Sequence, residues 1–448
     1  MIEGNEKYGY PPFLQVFIPS TKKEETTMRG LRAKGMRMVK EGTLIATVDI
    51  GIASNTGYCA TLDGISTKSF RFDNTREGFE KFWWMTVASK NRFGCDEVLV
   101  GYESTGPYAE PLVHYLAKKQ VKIVQVNPMH TKKMKEVNDN SPLKTDEKDP
   151  RVIADIIRLG HALTIVVPEG DAAHLRRLNN ARERHVGEQT ALLNQLQQLV
   201  YLIFPEFKTV LKNMKGKTAQ HILKRYTTPE RIGILSQEAL GEEMRRRSMG
   251  KFGIKEAESL IGLARETVGI KEGVVGIFMD IRHILMQLEA EVRFISEIEV
   301  EMRATLERIP CSARLLSIKG LGTVSVAGLI GEVGDFSKFS TQSEIMKLAG
   351  LDLYEISSGK RKGQRRISKR GRSLLRKILF YAAIQMIRKN GIMYDYYVRL
   401  TGRGMERMRA LIAVSRKLLR IIHAIVRDNR DYVGQYQAPQ RRVIKMAA

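Results

Sequence analysis

Cysteine is scarce in this chain. Only Cys59, Cys95 and Cys311 occur among 448 residues, widely separated and without CxxC spacing. That argues against a disulfide framework or a zinc knuckle, and it fits a reducing compartment, so the cytoplasm is the expected location. Aromatic residues make up 7%, with two tryptophans, Trp83 and Trp84, inside a helical stretch. Both read as core packing rather than as base-stacking platforms. No apolar run approaches the ~18 residues of a membrane span, and the mean hydropathy is −0.25, so no membrane partner is expected. The first forty residues lack the apolar core of a secretory signal and read as a basic mobile extension, with Met36 and Met38 as alternative starts. There is no Walker A loop, and Gly320–Ser325 (GLGTVS) lacks the strand and helix that a dinucleotide fingerprint needs.

Acidic residues are outnumbered. Against 49 Asp and Glu stand 74 Lys and Arg, a net charge of +25. An excess of this size points to a polyanion, most simply nucleic acid. At 43% hydrophobic residues the chain has enough apolar surface to build cores, and its length corresponds to about three domains.

The N-terminal part alternates strand and helix patterns. Thr43–Ile52, Thr56–Leu62 and Lys68–Asp73 read as a three-strand meander. Thr75–Asn91 has helical spacing with Thr75 as N-cap. Strands at Glu97–Tyr102 and Val121–Val126 and helices at Tyr108–Lys119 and Pro128–Val137 follow. This β-β-β-α-β-α-β-α order is that of the ribonuclease H-like nuclease fold. A further helix starts at Asp149, read as N-cap with Pro150 in the first turn.

From Asp171 to about Leu202, and again from Gly269 to Leu306, the chain reads as long amphipathic helices. Two such helices pair as an antiparallel or intermolecular coiled coil, or within a simple bundle. In Ala313–Val333 the turn Gly320-Leu321-Gly322 separates two helical segments and resembles a helix-hairpin-helix, whose amides can cradle a phosphate. Lys360–Lys377 carries ten Lys or Arg in eighteen residues. Helices are expected at Leu374–Lys389 and Gly404–Arg427.

Four acids stand where chemistry is expected. Asp49 interrupts an apolar strand, where a carboxylate is costly unless paired or bound to a cation. Glu103 follows an apolar strand at its carboxyl end, the edge where open α/β sheets bind ligands. Asp146 and Asp149 are three apart at a loop-to-helix junction; for Asp149, helix capping is a sufficient alternative. Acids converging on one edge repel each other without cations. Two divalent ions relieve that repulsion and cleave phosphodiesters, and hard oxygen ligands favour Mg²⁺ or Mn²⁺.

The segments ATVDIGIAS (46–54), VGYESTGPY (100–108), LKTDEKDPRVIADI (143–156), SIKGLGTVSVAGLIGEVGDFSKF (317–339), KLAGL (347–351) and SSGKRKGQRRISKRGRSLLRK (357–377) together resemble the DEDD-type insertion-sequence transposases, the bridge-RNA-guided recombinases. The likeness runs from about Thr43 to Arg427 and is thin between Pro205 and Gly269. It departs from the family pattern in Lys360 after the serine-glycine pair and in Arg372 after the ISKxG glycine.

The resemblance implies an α/β plus α architecture. Residues 43–165 form a RuvC-like DEDD domain, 166–308 a helical coiled-coil region, and 309–430 a mainly helical transposase domain. Residues 1–42 and 431–448 flank them as a basic extension and a basic tail. It further implies that Asp49, Glu103, Asp146 and Asp149 bind Mg²⁺, that Ser358 is a catalytic serine with Ser357 as the adjacent alternative, and that a structured guide RNA and dimers assembling into tetramers take part. No histidine neighbours Ser358, so a Ser-His-Asp triad has no support. A covalent phosphoserine conserves bond energy for rejoining, which suits a recombinase. The flanking Lys360, Arg361, Lys362, Arg365, Arg366, Lys369, Arg370, Arg372 and Arg376, with Gly320 and Gly322, are the expected nucleic-acid contacts. Two alternatives use the same residues: a junction nuclease with water as nucleophile, and a non-enzymatic nucleic-acid-binding protein.

Overall fold

The computed structural model describes residues 39–103, 106–138, 148–164, 167–355, 363 and 365–433. Asp146, Ser357, Ser358, Lys360, Arg361 and Lys362 lie outside the described residues, as do most of both expected extensions. The chain divides into two compact units between residues 165 and 166.

The first unit is built on β1 (Thr43–Asp49), β2 (Ser54–Ala60), β3 (Phe70–Asp73), β4 (Glu97–Glu103), β5 (Lys122–Val126) and the two-residue β6 (Leu163–Thr164). The sheet order is β3-β2-β1-β4-β5-β6. β1 to β3 form the expected antiparallel meander, while β4 and β5 run parallel to β1. This mixed sheet is consistent with a ribonuclease H-like domain.

β1 is buried on both faces, as a continuous apolar strand requires. Its even residues face helix α1 (Arg76–Arg92), whose Phe82 packs 4.9 Å from Phe72 between ring centroids. Thr75 caps α1 by accepting from the Gly78 amide at 3.1 Å, as expected. Trp84 departs from the sequence reading: it is 67% exposed, because its position falls on the solvent side of α1. Trp83 is half-buried.

The odd residues of β1 face α4 (Asp149–Arg158), which follows α2 (Glu110–Ala117) and α3 (Pro128–Asn138). Val152, Ile153, Ile156 and Ile157 of α4 join Ile45, Leu99 and Val124 in one core. Two contacts seat α4. Thr47 Oγ1 donates to the Pro150 carbonyl at 2.6 Å, and a Cβ at Gly101 would lie 2.1 Å from Ile157 Cδ1.

The second unit is helical. Helices α5 (Gly170–Ile203) and α11 (Val274–Glu307) pair antiparallel within the chain. The register is marked by Asp171–Arg308 at 2.7 Å, Arg182–Glu299 at 2.8 Å and His185–Glu291 at 2.8 Å. At the tip, the short helices α6 (Phe207–Val210), α7 (Lys217–Tyr226), α8 (Pro229–Gly233), α9 (Gln237–Ser248) and α10 (Ile254–Arg265) enclose a core with Leu196, Phe204, Phe207 and Leu285. At the base, α12 (Ser312–Leu316), α13 (Thr323–Val333), α14 (Gln342–Leu348), α15 (Ser373–Met386), α16 (Tyr394–Gly402) and α17 (Arg407–Asp428) build a second core with Leu175, Met302 and Leu306. Strands β7 (Leu353–Tyr354) and β8 (Arg366–Ile367) form a small antiparallel hairpin between α14 and α15.

Candidate active site and nucleic-acid surface

The β1–β4 register pairs Ile45 with Leu99, Thr47 with Gly101 and Val48 with Tyr102. Asp49 and Glu103 are the next position on each strand and end them. By the pleat, Asp49 shares the face of Thr47 and Glu103 that of Gly101, and this is the face α4 covers. Asp149 opens α4 on the same face, 7% exposed. Three of the four expected acids therefore lie at the carboxyl end of the parallel strands, on the face that α4 covers.

Asp149 is not the N-cap that the sequence suggested. Lys148 occupies that place and its carbonyl accepts the Val152 amide at 3.1 Å, so Asp149 is the first helical residue. With no capping bond to make, its carboxylate takes the ammonium of Lys135 on α3 at 2.6 Å. Sequence reading missed Lys135, because a lysine on a polar helix carries no signal of its partner. The three carboxylates share an edge but do not close to coordination spacing. Among the described residues, only His185, Glu188 and Glu291, in the second unit, bring three ligand atoms within 4.8 Å of one another. The acids still fit a divalent cation: they are hard oxygen donors, and a cationic side chain already stands against the most buried of them.

Thiol chemistry finds no support. Burial pushes Cys59 up to about 11 despite contacts from Thr86 and Ser89, and burial also raises Cys311.

The basic run divides sharply. Arg376 donates to the carbonyls of Ala349 at 3.0 Å and Gly371 at 3.1 Å, and burial lowers its pKa. Arg372 bonds the Glu332 carbonyl, and Arg365 pairs with Glu355 at 2.9 Å. Arg372 and Arg376 hold the fold around β7 and β8, whereas Arg365 makes its ion pair at the surface. Arg366, Lys369 and Arg370 are exposed. The glycines of KLAGL and ISKRG cross here: a Cβ on Gly371 would lie 2.5 Å from the Gly350 nitrogen. That approach needs glycine on both segments, and it fixes the two stems leading to Ser357 and Ser358.

The Gly320–Gly322 turn joins α12 to α13 as expected. Gly320 has φ +104°, and Gly322 caps α13 from an exposed position. Gly328 and Gly331 let α13 approach α5; a Cβ on Gly331 would meet the Arg176 nitrogen at 2.6 Å.

Comparison with known proteins gives two family matches. Residues 46–205 match the DEDD transposase domain of the IS110 type, and residues 312–398 match the transposase IS116/IS110/IS902 family. The chain belongs to the IS110 family of DEDD transposases. It is 25% identical over 295 residues to the uncharacterized 44.8 kDa protein of insertion element IS116 from Streptomyces clavuligerus, covering 64% of this chain and 72% of that protein. It is 27% identical over 167 residues to the transposase for insertion sequence element IS1111A of Coxiella burnetii, covering 35% and 45%. It is 30% identical over 120 residues to the pilin gene-inverting protein of Moraxella bovis, covering 26% and 37%. The transposase thus belongs among DNA-cutting and rejoining enzymes. Among its described residues, no helix is long and apolar enough to cross a membrane.

Proposed function

We propose that the transposase cuts and rejoins the DNA of its own insertion element through a covalent phosphoserine on Ser358, with Ser357 as the adjacent alternative. The observation that carries the metal-dependent part is the placement of Asp49, Glu103 and Asp149 at one sheet edge. These acids, with Asp146, are the holders of Mg²⁺, for which Mn²⁺ substitutes. A divalent ion held by these acids would offset their converging negative charge and would supply Lewis-acid activation at the scissile phosphate.

The serine chemistry rests on the family resemblance and on the way the chain anchors the hairpin stems. As the Ser358 Oγ–P bond forms, the bond from phosphorus to the departing sugar oxygen breaks, and the serine proton passes through water to that oxygen. The phosphodiester count is unchanged, so the link reverses on attack by a new DNA hydroxyl. Exposed Arg366, Lys369 and Arg370 grip phosphates beside it without reading sequence. By the same resemblance, a structured non-coding RNA pairs with donor and target DNA, and the transposase works as dimers that assemble into tetramers.

The test is cleavage of labelled element-end DNA with RNA from the element's flank and Mg²⁺. The proposal expects protease-sensitive DNA adducts, lost in Ser358→Ala and in Asp49→Asn. Cleavage without adduct, indifferent to both serines, would leave a water-using nuclease. Binding without cleavage, unchanged in Asp49→Asn, would leave a nucleic-acid-binding protein.

A further inference from the structure

We propose that His185, Glu188 and Glu291 form a site for one divalent cation of the zinc or cobalt class on the paired long helices. His185 and Glu188, three apart on α5, share one face, and Glu291 comes from α11. His185 Nδ1 lies 2.8 Å from Glu291 Oε2 and 3.0 Å from Glu188 Oε2. The side chains of His185 and Glu291 are each 18% exposed, while Glu188 is 47% exposed. The Phe294 ring meets the imidazole edge-on at 4.6 Å between centroids and holds its orientation.

Two carboxylates flank a single imidazole in a partly buried place. One nitrogen with two carboxylates is a donor set for borderline cations; Mg²⁺ prefers oxygen and water throughout. Beside the cluster runs a groove of about 330 Å³, bordered by Glu188, Glu291, Gln195, Gln287 and two alanines. Three protein ligands with an open position is how accessible zinc sites are built. The site lies in the waist of the hairpin, between its two cores, and a cation there ties α5 to α11 at mid-length. The inference is independent of the proposed serine and DEDD chemistry.

The test uses the full-length chain carrying Asp49→Asn, Glu103→Gln, Asp146→Asn and Asp149→Asn, so that none of the proposed DEDD carboxylates competes for the cation. Calorimetric titration with Zn²⁺ and Co²⁺ should show one equivalent. Co²⁺ should give a visible absorption band. At a hundredfold excess over Kd the unfolding midpoint should rise by roughly 5 °C. His185→Gln and Glu291→Gln should weaken binding at least tenfold, and Mg²⁺ should not compete. Glu188→Gln, on the exposed side, keeps the test decisive if His185→Gln fails to fold. No saturable Co²⁺ binding, or binding untouched by these substitutions, would overturn the proposal and leave an ion-pair cluster.

Discussion

Lys135 on α3 places its ammonium 2.6 Å from the carboxylate of Asp149, the acid that opens α4. The lysine is thus the cation at the most buried of the three described acids. A divalent ion bound by Asp149 must compete with it. Lys135→Met should lower the half-saturating Mg²⁺ concentration for cleavage by roughly 3- to 10-fold, about 1 kcal/mol. In EDTA the same substitution should lower the unfolding midpoint, because it leaves a buried carboxylate without a partner. A higher Mg²⁺ requirement would show instead that Lys135 helps to hold the ion's site together.

Gly101 is the spacer between the sheet and α4. Gly101→Ala should cost about 1–3 kcal/mol in urea unfolding, since its Cβ overlaps Ile157. Relief of that overlap lifts the helix that carries Asp149, so metal-dependent cleavage should fall more than stability does. Ile157→Val should partly restore both. Unfolding that matches wild type would contradict this packing.

Much of this sheet is legible in the sequence, because β1, β4 and β5 are short apolar runs bounded by turns. The convergence of Asp49 and Glu103 also follows once the strands are placed in parallel register. The cap at Asp149 is misread because Pro150 fits either of the first two helical positions. Helix α16 is missed because it buries no residue fully and so shows no apolar stripe. Among the tip helices, α6 and α8 are single turns too short for periodicity to fix. The basic run misleads most: charge alone does not separate Arg372 and Arg376, spent on backbone carbonyls, from Arg366 and Lys369 at the surface.

Arg376 tests that distinction. It joins the segments Ala349 and Gly371 on either side of the hairpin leading to the serines. Arg376→Lys keeps the charge but loses the two-carbonyl bridge. Adduct formation should drop at least tenfold while DNA affinity and its salt dependence stay near wild type. A loss of affinity with a shallower salt slope would make Arg376 a phosphate contact instead.

Glu243 anchors the tip of the helical hairpin. Its buried carboxylate accepts from Tyr226 Oη at 2.6 Å and Arg225 at 2.9 Å, and faces His221 Nε2 at 2.5 Å. Burial alone would raise its pKa, but the bonds from Tyr226 and His221 and the charge of Arg225 outweigh it and hold it below 4.5. A carboxyl depressed in the folded state contributes stability above its unfolded pKa and loses it as pH falls through the folded value. The tip should therefore weaken on acidification below pH 4.5. Glu243→Ala should cost about 3 kcal/mol at neutral pH and flatten that acid limb, seen by urea unfolding across pH.

The central claim is a covalent bond between DNA phosphate and one serine. The most direct measurement is mass spectrometry of the denatured, nuclease- and protease-digested reaction of the wild-type transposase with element-end DNA, flanking RNA and Mg²⁺. The account predicts a nucleotide phosphate on the peptide that contains Ser358, at Ser358 itself, absent when Mg²⁺ is removed or Asp49 is replaced by asparagine. Cleaved DNA whose ends carry only hydroxyl and free phosphate, with that peptide unmodified, would contradict it.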